Sequence, residues 1–126
     1  MIVGIGFDLV QISRVEAMLV RKEQRALDRL FTKHEQQYAL VRARPAMHLA
    51  ARLAAKEAAF KALTGSDEAK LIGWKEAEVR RGEEGPPVLH FTGRAAARAL
   101  VLGVVNVWLT LSHTDETAGA VVVLER

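Results

Sequence analysis

The segment that most restricts what this chain can fold into lies at residues 46–63, where eight alanines are interspersed with Leu49, Leu53, Phe60 and Leu63. Alanine is the best helix former, and the bulky residues recur at helical spacing, so one helix is predicted across the run. Pro45 suits its first turn, because the ring presets helical φ and the missing N–H would find no intrahelical partner there. Gly65, just beyond, is the expected C-cap. A helix apolar nearly all round belongs buried at the centre of a fold, and its alanine side lets strands or another subunit come close. With 126 residues, half of them apolar, the chain can build a core around it as one domain, residues 1–126, without disulfides or a structural metal.

The flanking patterns supply strands and shorter helices. Val3, Ile5, Phe7 and Leu9 alternate with Gly4, Gly6 and Asp8, which is strand periodicity over residues 2–10. Asp8 then shares a face with two glycines, where another backbone or a ligand can approach closely; a strand-end aspartate capping a turn is the plainer alternative. Ser13 and Glu16 have capping-box spacing and predict a helix from Arg14 through the twenties. Val15, Leu19, Ala26 and Leu30 would lie on one side of it. Arg14, Met18, Arg21 and Arg25 would stack on another, as a solvated face or as a dock for an acidic helix. A second box, Thr32 and Glu35, starts a helix that should end before Arg44, since Pro45 disfavours helical geometry in its predecessor. Downstream come a polar loop at 66–70, a strand at 74–81, a turn at 82–87, a strand at 88–91, a helix at 94–102, and a hairpin pairing 104–112 with 117–124. The fold class expected is α+β, an antiparallel sheet wrapped around the long central helix.

Composition narrows the chemistry. There is no cysteine, and the four histidines are too scattered for a zinc motif, so a metal here must be held mainly by oxygen. The N-terminal MIVGIGFDLV has no signal-peptide pattern and no apolar run reaches membrane-spanning length, so a cytoplasmic location without a membrane partner is expected. A net charge of +3 favours an acidic partner without choosing between protein, phosphorylated ligand and nucleic acid. Aromatics at 6% and the lack of any nucleic-acid signature count against the last.

On the long helix Glu57 and Lys61 are one turn apart, with Arg52 and Lys56 on a neighbouring face. A carboxylate on so apolar a helix must meet Lys61, another cation or a metal. Asp8 and Glu57 together would suit a magnesium ion that shares its remaining sites with water and substrate phosphates, with Arg52, Lys56 and Lys61 neutralising the phosphates. The motif LTLSHTDE does not make a serine hydrolase, because Ser112 and His113 are strand neighbours pointing to opposite faces. A hydroxyl and an imidazole at a strand end fit anion binding or an ordinary turn. No phosphate-binding glycine loop is present.

The segments VGIGFDLVQISRV, FTKHE, ARLAAKEAAFKAL, GPPVLHFTG and LTLSHTDETAGAVVV follow one another in an order that resembles the holo-acyl carrier protein synthases, the short class of phosphopantetheinyl transferases. The resemblance covers nearly the whole chain. It implies the phosphopantetheinyl transferase fold as a homotrimer with active sites at the subunit interfaces, and transfer of phosphopantetheine from coenzyme A to a serine of apo acyl carrier protein. Carried over by position, it implies Asp8 and Glu57 as magnesium ligands, Lys61 beside the reacting phosphate, and His113 as a coenzyme A phosphate contact, assisted by Arg52, Lys56 and Ser112. Arg14, Met18, Arg21 and Arg25 become the carrier-docking face. Phe7 and Leu53 depart from the commonest pattern, which bears on the fit of the pantetheine arm and the carrier. A non-catalytic module gripping a carrier or nucleotide is the alternative function.

Overall fold

The computed structural model describes residues 1–64, 68–82 and 84–126. The expected cap Gly65, the start of the polar loop, and Glu83 in the expected turn lie outside them. Strand β1 (Ile2–Gln11) runs directly into helix α1 (Ile12–Val20), followed by α2 (Gln24–Leu30), α3 (Lys33–Leu40) and α4 (Pro45–Ala62). Two single 3₁₀ turns, Glu68–Leu71 and Trp74–Glu76, lead to β2 (Ala77–Arg80), β3 (Val88–Phe91), α5 (Gly93–Val101), β4 (Asn106–His113) and β5 (Thr117–Glu125). Antiparallel pairing gives a sheet in the order β1-β5-β4 and a separate pair β2-β3.

The alanine-rich helix forms where expected, and the glycines of β1 explain how close it lies to the sheet. A Cβ on Gly4 would stand 2.2 Å from the Ala62 carbonyl oxygen, and one on Gly6 1.7 Å from that of Ala58. Only glycine admits backbone at that distance. Leu49, Leu53, Ala54, Ala55 and Ala58 of α4 are fully buried, packed against β1, β5 and the shorter helices. Since the glycine face of β1 takes the helix, the alternate residues Ile5, Phe7 and Leu9 point away from it and are 61%, 55% and 57% exposed. The ladder aligns Ile5 with Val123 and Val123 with Trp108, so the outward face of the sheet carries contiguous apolar rows.

Three local expectations are corrected. The Ser13–Glu16 box does not form: α1 starts at Ile12, whose side chain is buried and whose N–H bonds the Glu116 carbonyl at 2.8 Å, so Gln11 becomes an N-cap without a side-chain cap bond. The helix also does not run through the twenties. It ends in a Schellman turn, with Lys22 N–H on Leu19 O and Glu23 N–H on Met18 O, and Lys22 adopts φ 54° in the left-handed region usually left to glycine. Arg25 therefore stands on α2, where Leu27 joins Leu30 in the core. Finally, residues 74–76 form a 3₁₀ turn and pairing starts only at Ala77. The Thr32–Glu35 box is made in both directions, with bonds of 2.9 and 3.2 Å.

Candidate active site

The register of β1 on α4 brings the two expected carboxylates together. Two strand residues advance ~6.8 Å, about the ~6 Å covered by four helical residues. Gly4 lies over Ala62 and Gly6 over Ala58, and Asp8, next on the same face of β1, comes beside Lys61 and Glu57. Lys61 Nζ donates to Asp8 Oδ1 at 2.8 Å and to the Phe7 carbonyl at 3.1 Å. The Arg14 guanidinium lies 3.8 Å from Glu57 Oε1. Asp8 and Glu57 are near enough for each to shift the titration of the other.

Burial, reinforced by the hydrogen bond to Asp8 and its negative charge, pushes the Glu57 carboxyl up to about 7, against the opposing pull of Arg14 and Lys61. For Asp8, burial would raise the value, but it is outweighed by hydrogen bonds from Glu57 and Lys61, the Lys61 charge and the Leu9 backbone. Asp8 is thus held ionised below the usual carboxylate range, beside a carboxyl half-protonated near neutrality. These are the opposed environments that divide acid and base work between neighbouring carboxyls.

The same residues fit a magnesium ion. Asp8 Oδ2 is buried with no hydrogen-bond partner among the described residues, an anionic oxygen whose desolvation a cation would offset. The available donors are carboxylate oxygens, and no cluster of three or more potential metal-ligating side chains occurs among the described residues. Two carboxylates suit magnesium, which keeps several waters and takes further oxygens from substrate phosphates.

Other predicted residues are placed differently. Lys56 is fully buried and all three of its ammonium hydrogens are committed, to Glu35 Oε1 at 2.8 Å, the Ala77 carbonyl at 2.7 Å and the Trp74 carbonyl at 3.0 Å. In this arrangement it has no donor left over for the phosphate contact expected of it. Arg52 is 3% exposed, donates to the His48 carbonyl and rests on the Tyr38 ring, with Nε unpartnered among the described residues. Ser112 sits opposite Gly119 and Gly119 opposite Leu9, so Ser112 lies on the outward sheet face, away from Asp8. With Phe7, Thr110 and Val121 it lines a largely apolar concavity of about 220 Å³. His113 is exposed at the end of β4. Arg14, Arg21 and Arg25 are exposed and Met18 is half-buried, but the turn at Lys22 divides them between two helices.

Sequence reasoning passed over a cationic neighbourhood on the α3–α4 side. Arg42 also stacks on Tyr38, at 3.4 Å, and Arg44 binds the Asp115 carboxylate at 3.6 Å and its carbonyl at 3.0 Å. Burial and then the charges of Arg52, Arg42, His113 and Arg81 lower the His48 pKa. The arginines at 42 and 44, immediately before Pro45, were the available signal. Arg14 was also read only as a docking residue, whereas it faces Glu57.

Residues 4–122 match the model of the 4′-phosphopantetheinyl transferase superfamily. The chain is 49% identical over 126 residues to a holo-[acyl-carrier-protein] synthase of Thermus thermophilus, covering 99% of this chain and 94% of that protein. A protein of the same name from Syntrophus aciditrophicus is 42% identical over 125 residues, covering 99% and 97%. Among solved structures, the holo-[acyl-carrier-protein] synthase of Neisseria meningitidis superposes with a TM-score of 0.84 at 26% identity over 100% of both chains. The enzyme of that name from Bacillus anthracis, in complex with CoA (3′,5′-ADP), gives 0.75 at 35% identity over 98% and 96%.

Proposed function

This chain belongs to the 4′-phosphopantetheinyl transferase superfamily, and on that premise we propose that it is a holo-[acyl-carrier-protein] synthase, moving 4′-phosphopantetheine from coenzyme A to a serine of apo acyl carrier protein. Full-length relatives of that name at 42% and 49% identity, and the Bacillus anthracis relative in complex with CoA (3′,5′-ADP), support the reading. The observation that carries it is the Asp8–Glu57–Lys61 cluster with its unpartnered buried Asp8 oxygen.

In the reaction, the carrier serine Oγ bonds to the β-phosphorus of coenzyme A, the bond to the α-phosphate bridging oxygen breaks, and 3′,5′-ADP leaves. Asp8 and Glu57 would hold a magnesium ion, which would supply positive charge to the pyrophosphate. Lys61 uses two of its three donors on Phe7 and Asp8, which aims the third at a phosphate oxygen. Glu57 directly, or a water ordered by the metal it would hold, accepts the serine proton. Most of the remaining acceleration comes from orientation and charge neutralisation.

The assembly proposed is a homotrimer with interfacial sites. A face exposing Ile5, Phe7, Leu9 and Trp108 at 55–61% is the kind that other subunits cover. Ser112 faces away from Asp8 within its own chain, so its role in phosphate or nucleotide binding, with the exposed His113, would be exercised at a neighbouring subunit's carboxylates. Arg14, Met18, Arg21 and Arg25 would meet the acidic carrier. No helix among the described residues is long and apolar enough to cross a membrane; a single cytoplasmic domain that engages neither membrane nor nucleic acid completes the proposal.

The test is release of 3′,5′-ADP from coenzyme A on addition of an apo carrier, followed by anion-exchange chromatography. The wild type should release it stoichiometrically with carrier and Asp8→Asn should not. Coenzyme A binding with no release would leave only a binding module.

A further inference from the structure

Among the described residues, one fully bonded buried ion pair touches none of the reacting groups. Glu35, on the first turn of α3, and Lys56, at the middle of α4, are both fully buried and 2.8 Å apart. The Glu35 carboxylate also accepts the Thr32 N–H at 2.9 Å and the Val79 N–H at 2.8 Å. The Lys56 ammonium spends its other two hydrogens on the Trp74 and Ala77 carbonyls at either end of the 3₁₀ turn before β2. Four segments, the α3 N-terminus, α4, the 3₁₀ turn and β2, are thereby tied to one point.

Buried ion pairs gain little stability over an apolar pair of the same volume, so this one is poorly explained as a source of stability. Position is what it specifies. Adjacent residues of a helix point ~100° apart, so anchoring Lys56 fixes the direction of Glu57. The contacts of Gly4 and Gly6 with the Ala62 and Ala58 carbonyls set how near α4 stands to β1. They hold α4 along one side, and Lys56 anchors it from the other, so that its rotation is fixed between the two.

We infer that Glu35 and Lys56 are positioning residues, a buried clamp that sets the rotation of α4 so that Glu57 faces Asp8 with Lys61 one turn beyond. The inference rests on the transferase reading above and assigns Lys56 no contact with coenzyme A. Reacting groups misplaced by ~1 Å cost ~100-fold in rate, and supports behind metal ligands are worth ~10–100-fold in affinity or activity.

Two variants test it. Glu35→Leu/Lys56→Met removes the pair without leaving an unpaired buried charge, and Glu35→Asp keeps both charges but pulls the clamp back by one methylene. Glu35→Asp decides the matter if the double variant does not fold. For each folded variant kcat, KM for coenzyme A, melting temperature, and Mn²⁺ affinity by electron paramagnetic resonance without coenzyme A are measured. The clamp predicts kcat down ~10-fold or more and Mn²⁺ binding ~10-fold weaker, with KM for coenzyme A within about twofold of wild type. Unchanged kcat and Mn²⁺ affinity beside a lowered melting temperature would reduce the pair to ordinary packing and overturn it. So would a raised KM for coenzyme A with normal Mn²⁺ affinity, which would return Lys56 to the phosphate. Wild-type protein that transfers nothing to the carrier would instead refute the function itself.

Discussion

Replacing Glu57 with Gln should make the metal-free protein more stable while removing its activity, and the gain should depend on pH in a defined direction. The carboxyl rises from an ordinary 4.5 to about 7 on folding. A group that holds its proton more tightly when folded favours folding below the unfolded value, and that contribution is lost as pH climbs from about 4.5 through about 7. At 1.36 kcal/mol per pKa unit the gap corresponds to about 3 kcal/mol. The Glu57 side chain is 23% exposed and titrates with Asp8, so solvent screening and coupling reduce this to about 1–2 kcal/mol. Gln cannot ionise and can donate to the unpartnered Asp8 oxygen; the lost pairing with exposed Arg14 at 3.8 Å returns at most ~1 kcal/mol. The net gain at pH 8 is about 1 kcal/mol, or about 4 °C in a domain of this size. The assay is calorimetric melting at one protein concentration in chelator, from pH 5 to 8. The variant should melt about 4 °C above wild type at pH 8, with the difference closing toward pH 5; magnesium should then raise wild type alone. A variant that melts at or below wild type by the same margin at every pH would refute the argument.

Three further outcomes follow from the geometry. Gly6→Ala forces a methyl to 1.7 Å from the Ala58 carbonyl and should cost on the order of 3 kcal/mol or prevent folding, read by denaturant titration. Phe7→Glu puts a charge in the exposed apolar sheet face and should leave a monomer without activity in analytical ultracentrifugation and turnover assays; an active monomer would refute the interfacial-site proposal. Reversing charge at Arg21 and Arg25, both exposed, should raise KM for the carrier about tenfold or more while leaving KM for coenzyme A unchanged, and equal effects on both would refute carrier docking.

The strongest sequence signals were those in which one residue type had a single physical use. The alanines could serve only a close-packed helix, and the glycines alternating with Asp8 could serve only close approach. Together they offered a carboxylate on β1 and another on α4 as candidates, and the family resemblance paired the two. Signals with two uses failed. Ser13–Glu16 and Thr32–Glu35 have the same spacing, but only the second forms a box, because burial of Ile12 starts α1 earlier. The break at Lys22 was invisible because a lysine occupies the left-handed position. Lys56 and Lys61 are both lysines of one apolar helix and both read as phosphate partners, yet their contacts come from segments distant in sequence: Glu35, Trp74 and Ala77 bury one, while Phe7 and Asp8 hold the other at the surface. Which side of β1 would be covered was likewise decided by α4, leaving the larger side chains outward.

Intact-mass spectrometry of an apo acyl carrier protein incubated with this protein and coenzyme A, with magnesium and with a chelator, tests the central claim most directly. The account predicts that the carrier gains the mass of one phosphopantetheine with magnesium and none with the chelator. An unmodified carrier in both samples, from folded protein and across several carriers, would contradict it.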